Sequence, residues 1–178
     1  MGLAEVIKEE VKFSDKLTAR IKELVSHFPE GKHKSAIITV LHEVQDEHNN
    51  WLSVPVMDKV AEVLNIKPIE VYEVVTFYTM YNQKPVGKYM FEFCRTSCCC
   101  LRGAEDLIDY TLDKLGVKEG EVTTDGLFSV KSTECLGACG YAPMLQLGDY
   151  YHEYLTPEKM DKLIDDCRGG KIEVYSKV

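Results

Sequence analysis

The cysteines are the residues of this chain whose type and spacing point most directly to chemistry. There are seven, all in the second half of the chain, at Cys94, Cys98, Cys99, Cys100, Cys135, Cys139 and Cys167. Thiols stay reduced in a cytoplasm, where clustered cysteines are more often metal ligands or catalysts than disulfides. Six of the seven form two groups, at 94–100 and 135–139. These two groups are therefore candidate metal ligands.

Each cysteine group follows a predicted strand, so both groups lie on loops. Two loops at the same edge of one sheet can bring four thiolates to one site. The first loop also opens a predicted helix, whose unpaired N–H groups and positive dipole end favour thiolates and an anionic cluster. This placement predicts metal binding.

The spacing within the groups favours iron–sulfur over zinc. Structural zinc sites usually take cysteine pairs with two to four intervening residues, and histidine can replace cysteine in them. These pairs, with about three and four intervening residues, are at the wide end of that range, and no histidine lies near either loop. A [2Fe–2S] cluster needs four cysteine thiolates, two for each iron, and Rieske ligation would replace two of them by histidine. Spacing leaves the second ligand of the first loop open among Cys98, Cys99 and Cys100.

Cys167 stands apart from both groups. It falls on the apolar stripe of the last predicted helix, with Met160, Leu163 and Ile164. A small buried hydrophobe is therefore a better interpretation than a functional thiol.

The elements that must position the two loops follow a helical first half. Apolar residues recur at helical spacing through residues 14–80. Four helices are predicted, starting at Ser14, near Ser35, after Pro55 and at Pro68. Four short helices with tight loops can form a small bundle. We therefore predict an N-terminal helical domain over residues 1–84.

The second half combines predicted strands with helices. Tyr89, Phe91 and Phe93 alternate with other residues, which predicts a strand running into Cys94. Further elements are predicted as a helix over 101–115, strands over 128–132, 144–147 and 150–154, and a helix starting at Pro157. This order predicts a thioredoxin-like α/β domain over residues 85–178. The fold class of the whole chain is thus α+β, a small helical bundle followed by this domain.

Composition excludes several classes of function. Lys and Arg number 21 and Asp and Glu 29, for a net charge of −8, so the chain lacks the basic character that nucleic acid or an anionic membrane surface would require. No apolar run approaches the length that spans a bilayer, and the N-terminus matches neither a secretory signal nor a transit peptide. We expect a cytoplasmic protein with no nucleic-acid partner and no direct membrane insertion.

Several motifs together resemble one family. They are Cys94-x4-Cys99, Glu134-Cys135-Leu136-Gly137-Ala138-Cys139 with Ala142-Pro143-Met144 behind it, and the upstream segment Val71-Tyr72-Glu73-Val74-Val75-Thr76-Phe77-Tyr78. Over residues 14–167 the chain resembles the small thioredoxin-like [2Fe–2S] subunit of NADH:quinone oxidoreductase, respiratory complex I. In that family the position before the second ligand is commonly Pro, where this chain has Cys98.

The resemblance implies a cofactor and its ligands. One [2Fe–2S] cluster would be held by Cys94, Cys99, Cys135 and Cys139, and no residue of this chain would be catalytic. Cys98 and Cys100 would then be extra thiols.

The resemblance also implies a function divided between subunits. The chain would accept single electrons from FMN on a partner flavoprotein subunit that binds NADH, beside a large iron–sulfur subunit, on the cytoplasmic side of the inner membrane. The chain has no Gly-x-Gly-x-x-Gly and no phosphate loop, so nucleotide and flavin are expected on the partner. Tyr78 and Tyr81 are candidates for a docking surface, although aromatic residues at helical spacing more often lie in a core.

Other functions stay open at this point. Family relatives of the same module are built into NAD-linked hydrogenases and formate dehydrogenases. A free-standing thioredoxin-like ferredoxin would need only the cluster domain and not the helical one. A zinc-stabilised interaction domain would be colourless, and a dithiol oxidoreductase would need Cys-x-x-Cys at the first helix of the α/β domain, which is missing here.

Overall fold

The structure is a computed structural model that describes residues 11–174. The chain divides into two compact units, Met1–Pro85 and Val86–Val178. Residues 1–10 and 175–178, the outer ends of the two predicted domains, lie outside the described residues. Among residues 11–174, no helix combines the length and the apolar character needed to cross a membrane.

Helices build the first unit. They are α1 (Asp15–Ser26), a short 3₁₀ helix (His33–Ala36), α2 (Ile37–Glu47), α3 (Val54–Leu64) and α4 (Pro68–Phe77). The predicted start at Ser14 is confirmed, because its hydroxyl accepts the Leu17 N–H at 3.0 Å and donates to Glu47 at 2.5 Å. One side chain thus caps α1 and ties it to the end of α2.

The core of the first unit is aliphatic. Its fully buried side chains include Ile21, Val40, Leu41, Val44, Leu52, Val60, Leu64 and Val71. Tyr81 lies among them at 4% exposure, and its hydroxyl donates to the Ile38 carbonyl at 2.9 Å. The docking role suggested for Tyr81 is therefore wrong, whereas Tyr78 is exposed.

The second unit is a mixed sheet with helices. Its elements are β1 (Tyr89–Cys94), α5 (Ser97–Leu101), α6 (Ala104–Leu115), β2 (Phe128–Thr133), β3 (Leu145–Leu147), β4 (Tyr150–His152) and α7 (Pro157–Arg168). The strand order is β2-β1-β3-β4, with β1 parallel to β2 and antiparallel to β3. The predicted α+β class is confirmed.

Large apolar side chains fill the second unit. The central strand β1 is buried along nearly its whole length, as are Phe128, Leu145, Leu147, Met160 and Ile164. Cys167 joins this core at 2% exposure, and burial raises the pKa of its thiol to about 12. Its interpretation as a small buried hydrophobe is confirmed.

The helix predicted over 101–115 is wrong in its bounds. The structure has two helices there, α5 and α6, which are separated at Gly103 with φ of +87°. This left-handed conformation favours glycine and interrupts a helix. Helix α5 starts at Ser97, before the predicted bound, and carries three consecutive cysteines on its single turn.

Candidate metal centre

The two cysteine groups leave the sheet at the same edge. β1 ends at Cys94 and the parallel strand β2 ends at Thr133, which is its partner in the register. The segments that follow are the first cysteine loop (94–100) and the second cysteine loop (135–139). The Arg95 N–H donates to the Thr133 carbonyl at 3.1 Å, which continues the pairing into the first loop.

Cys94 and Cys99 form an inner pair. They are 3% and 1% exposed, and their side chains contact each other. Thr96 positions both, because its hydroxyl lies 3.3 Å from the Cys94 sulfur and its carbonyl accepts the Cys99 N–H at 2.8 Å. A threonine before a helix usually caps it with the hydroxyl, but Thr96 makes no such bond. The sequence analysis did not identify this residue.

Cys135 and Cys139 form an outer pair. Both are exposed, and their side chains are in contact. The Gly137 N–H donates to the Cys135 sulfur at 3.3 Å. The Tyr151 hydroxyl in β4 donates to the Leu136 carbonyl at 2.8 Å. Hydrogen bonds from within the loop and from the sheet therefore hold the outer pair.

Residues of the second cysteine loop also interact with the inner pair. Cys99 lies close enough to Cys139 for their charges to interact, and the Leu136 backbone hydrogen-bonds the Cys94 thiol. The structure therefore places the second cysteine loop next to the inner pair.

The two extra thiols of the first loop differ in surroundings. Cys98 is exposed and its side chain contacts Cys139. The Cys100 thiol instead donates to the Arg95 carbonyl at 3.2 Å. Cys98 thus neighbours the second cysteine loop, whereas the Cys100 thiol is held at the start of its own loop.

Neighbouring thiols oppose the ionisation of Cys99 and of Cys139. Burial, followed by the neighbouring Cys94, raises the pKa of Cys99 to about 12. Contact with Cys98 raises the pKa of Cys139. For Cys94 itself burial acts in the same direction, but hydrogen bonds from Thr96 and Leu136 outweigh it and lower its pKa. Cys94 is therefore the thiol of the inner pair that ionises more readily.

The arrangement fits a binuclear cluster better than a single ion. A structural zinc ion takes four ligands around one point. Two pairs of thiols, one from each loop, match a [2Fe–2S] group in which each iron takes two cysteines.

Apolar residues back the inner pair. Ala104, Ala142 and Met144 are buried against Cys94 and Cys99. On the outer side, Leu101 at the end of α5 is 87% exposed. The site therefore has a dry inner wall and an open outer one.

Sequence comparisons agree with this geometry. The family model for the thioredoxin-like [2Fe–2S] ferredoxin matches residues 21–168. A subunit of the NADH-quinone oxidoreductase of Rickettsia bellii is 43% identical over 157 residues, 88% of this chain and 94% of that protein. Its counterpart in Rickettsia conorii is 43% identical over 148 residues, 83% of this chain and 89% of that protein.

Solved structures share the fold. The crystal structure of an air-oxidised NAD⁺-reducing [NiFe]-hydrogenase matches with a TM-score of 0.64 at 18% identity, and the match covers 75% of this chain and 23% of that chain. The sequence match over most of its length, together with the paired thiols at one sheet edge, shows that the chain belongs to the thioredoxin-like [2Fe–2S] ferredoxin family.

Proposed function

We propose that this chain is the electron-transfer subunit of an NADH:quinone oxidoreductase, with one [2Fe–2S] cluster bound by Cys94, Cys99, Cys135 and Cys139. The observation that carries the proposal is the position of the two cysteine loops, which follow the adjacent ends of the parallel strands β1 and β2. The Rickettsia relatives, which are subunits of NADH-quinone oxidoreductases and 43% identical over most of the chain, support the choice of complex.

The residues of the chain contribute binding and charge stabilisation. A bound [2Fe–2S] cluster supplies one-electron transfer. Backbone and hydroxyl donors next to the thiols would stabilise the negative charge of the site. They are the Thr96 hydroxyl at Cys94, the Gly137 N–H at Cys135 and the Met144 backbone at Cys99.

The electrons must come from another subunit. NADH releases a hydride, so a flavin has to divide the electron pair before a one-electron carrier accepts it. We place FMN and the NADH site on a partner flavoprotein subunit, with a large iron–sulfur subunit in the same complex. The complex would hold this chain at the cytoplasmic side of the inner membrane. The open outer wall of the site, at Cys135 and Cys139, would face the electron donor.

The equivalent subunit of an NAD-linked hydrogenase is the alternative host. At 18% identity, the hydrogenase chain supports the fold and not the function. The much higher identity to the Rickettsia proteins therefore decides in favour of the quinone reductase.

Spectroscopy of the full chain, purified and reconstituted without oxygen, tests the cofactor. We expect about two iron and two sulfide per chain and a one-electron EPR signal after dithionite reduction. A colourless chain that binds zinc after the same treatment would contradict the proposal.

Reduction by NADH tests the division of labour. NADH alone should leave the chain oxidised, and NADH with the flavoprotein subunit of the same cell should reduce it. Direct reduction by NADH, or no reduction with the flavoprotein present, would assign the chain to another system.

A further inference from the structure

A tyrosine on the last strand of the sheet reaches the second cysteine loop. The Tyr151 hydroxyl donates to the Leu136 carbonyl at 2.8 Å, between residues that are 15 apart in the sequence. The loop follows β2, whereas Tyr151 lies in β4, and these are the two edge strands of the sheet. The hydrogen bond thus fastens the loop to the strand at the opposite edge of the sheet.

The carbonyl that accepts this bond belongs to the same peptide group as a donor to a proposed ligand. The Leu136 carbonyl and the Gly137 N–H are the two polar groups of one amide, and the Gly137 N–H donates to the Cys135 sulfur at 3.3 Å. In a trans amide the carbonyl and the N–H point in opposite directions. Tyr151 and Cys135 therefore lie at the two ends of a chain of hydrogen bonds that passes through a single peptide group.

Glycine makes the orientation of this peptide group easy to change. Gly137 has a φ of +77°, and a Cβ added there would meet no atom of the described residues within 4 Å, so the position favours glycine for its backbone conformation and not for lack of space. Because glycine adopts negative and positive φ about equally well, the amide can rotate and turn its carbonyl oxygen toward the sulfur. A thiolate repels a carbonyl oxygen and attracts an N–H. A group that holds the carbonyl on the far side therefore also holds the N–H on the sulfur.

We propose that Tyr151 is a positioning residue of the metal centre, which keeps the Gly137 N–H directed at the Cys135 sulfur through the peptide group between Leu136 and Gly137. The inference rests on the [2Fe–2S] site proposed above, with Cys135 as a ligand. An N–H that donates to a ligand sulfur stabilises the reduced state, with its extra negative charge, more than the oxidised state. The bond from Tyr151 also polarises the amide and strengthens its N–H as a donor. Tyr151 therefore raises the reduction potential by acting through the loop.

Tyr150 provides a matched control on the same strand. Tyr150 and Tyr151 are both exposed and are consecutive residues of β4. Consecutive side chains of a strand point to opposite faces of the sheet, so Tyr150 points away from the face on which Tyr151 reaches the Leu136 carbonyl. Replacing either tyrosine by phenylalanine removes one exposed hydroxyl and keeps the ring.

The test compares the wild type, Tyr151→Phe and Tyr150→Phe as full chains reconstituted without oxygen. An EPR-monitored redox titration measures the equilibrium constant for one-electron reduction of each. We expect this constant to fall about threefold in Tyr151→Phe, which is a shift of about 30 mV at about 59 mV per tenfold, and to stay unchanged in Tyr150→Phe. An unchanged constant in Tyr151→Phe, or an equal fall in both variants, overturns the inference.

NMR spectroscopy of the isotope-labelled, metal-free full chain gives a second readout that needs no cluster. The amide proton resonance of Gly137 should move upfield in Tyr151→Phe, because loss of the bond at the Leu136 carbonyl weakens the bond from the Gly137 N–H to the Cys135 sulfur. The same resonance should keep its position in Tyr150→Phe. A Gly137 resonance that stays in place in Tyr151→Phe overturns the inference, even if that variant takes up no iron.

Failures of the two proposals are distinguishable. A wild-type chain that takes up no iron overturns the proposed function and this inference together, whereas a wild type with an intact cluster and the same reduction constant as Tyr151→Phe overturns only the inference. Because Tyr151 is exposed, the phenylalanine variant should fold, and circular dichroism checks this. Tyr151→Leu, which also lacks the hydroxyl, repeats the test, and a wild-type constant in a folded leucine variant again overturns the inference.

Discussion

Thr96 shows how a single residue can tune the proposed cluster. Its hydroxyl lies 3.3 Å from the Cys94 sulfur, and it can donate a hydrogen bond once that thiol is ionised. Such a bond stabilises the more negative, reduced state more than the oxidised one, and thereby raises the reduction potential.

The variant Thr96→Val removes this hydrogen bond and keeps the shape of the side chain. We expect the reduction potential to fall by about 20–40 mV, which corresponds to a differential of about 0.5–1 kcal/mol for one electron. An EPR-monitored redox titration measures it. Thr96→Ser, which keeps the hydroxyl, is the control, and an equal fall in both variants would show that the hydrogen bond is not the cause.

Single serine variants at 98, 99 and 100 test which thiol of the first loop is a ligand. Cys98→Ser and Cys100→Ser should each retain the cluster, because neither residue belongs to the inner pair. Cys99→Ser should lose the cluster or bind it weakly, since Cys99 is buried against Cys94. Iron and sulfide analysis decides, and loss in Cys98→Ser with retention in Cys99→Ser would reverse the assignment.

At the scale of the elements, the start of β1 depends on a close backbone approach. A Cβ added to Gly87 would lie 2.3 Å from the Phe128 backbone carbon in β2, and the Gly87 N–H donates to the Ser129 hydroxyl at 3.1 Å. Any side chain at this position would push the two strands apart.

Gly87→Ala should therefore destabilise the second unit by about 2–3 kcal/mol, as expected for overpacking in a core. Urea denaturation followed by circular dichroism measures the free energy of unfolding. The matched control is Gly169→Ala, where the nearest atom to the new Cβ would be 3.4 Å away and the change should stay within about 0.5 kcal/mol. Equal effects of the two substitutions would contradict the close approach.

His152 at the end of β4 makes the second unit sensitive to acid. Its Nε2 atom is buried with no hydrogen-bond partner among the described residues, and burial lowers its pKa. The unfolded chain, with a histidine pKa of about 6.5, therefore binds more protons than the folded chain as the pH falls below that value. The folded state of the second unit therefore loses stability as the pH falls below about 6.5.

His152→Phe removes the titrating group from the same position. The advantage in melting temperature of this variant over the wild type should grow as the pH falls from about 7.5 to about 5.5, because only the wild type has an imidazole at this position that binds a proton more readily in the unfolded chain. The difference in unfolding free energy should stay below about 1 kcal/mol, because the side chain is partly exposed. A difference that is independent of pH would contradict this account.

At the scale of the whole molecule, local sequence patterns predicted individual helices and strands but not the contacts between residues that are distant in the sequence. The Ser14 cap and the alternation of Tyr89, Phe91 and Phe93 are local signals, and both elements were found where they were expected. The helix predicted over 101–115 is divided at Gly103. The apolar residues recur at helical spacing on both sides of this glycine, but its backbone conformation is not that of an α-helix. Tyr81 looked like a docking residue because its partner, the Ile38 carbonyl, is distant in the sequence.

The candidate site was likewise predicted only in part from the sequence. Spacing located the two cysteine loops and the metal class, and it could not choose among the three adjacent thiols of the first loop. That choice depends on which thiol turns inward, and helix α5 sets this by its starting point at Ser97. The separate surroundings of Cys98 and Cys100 likewise follow from three-dimensional contacts that spacing does not contain.

The unequal depth of the two thiol pairs has a consequence for the lifetime of the site in air. Dissolved oxidants arriving from solvent meet Cys135 and Cys139, which are exposed, before they meet Cys94 and Cys99, which are buried. Damage on the path from thiolate to sulfenic acid should therefore begin on the outer pair. The lifetime of the site in air would then depend on the five residues of the second cysteine loop, whereas the β-sheet would remain intact.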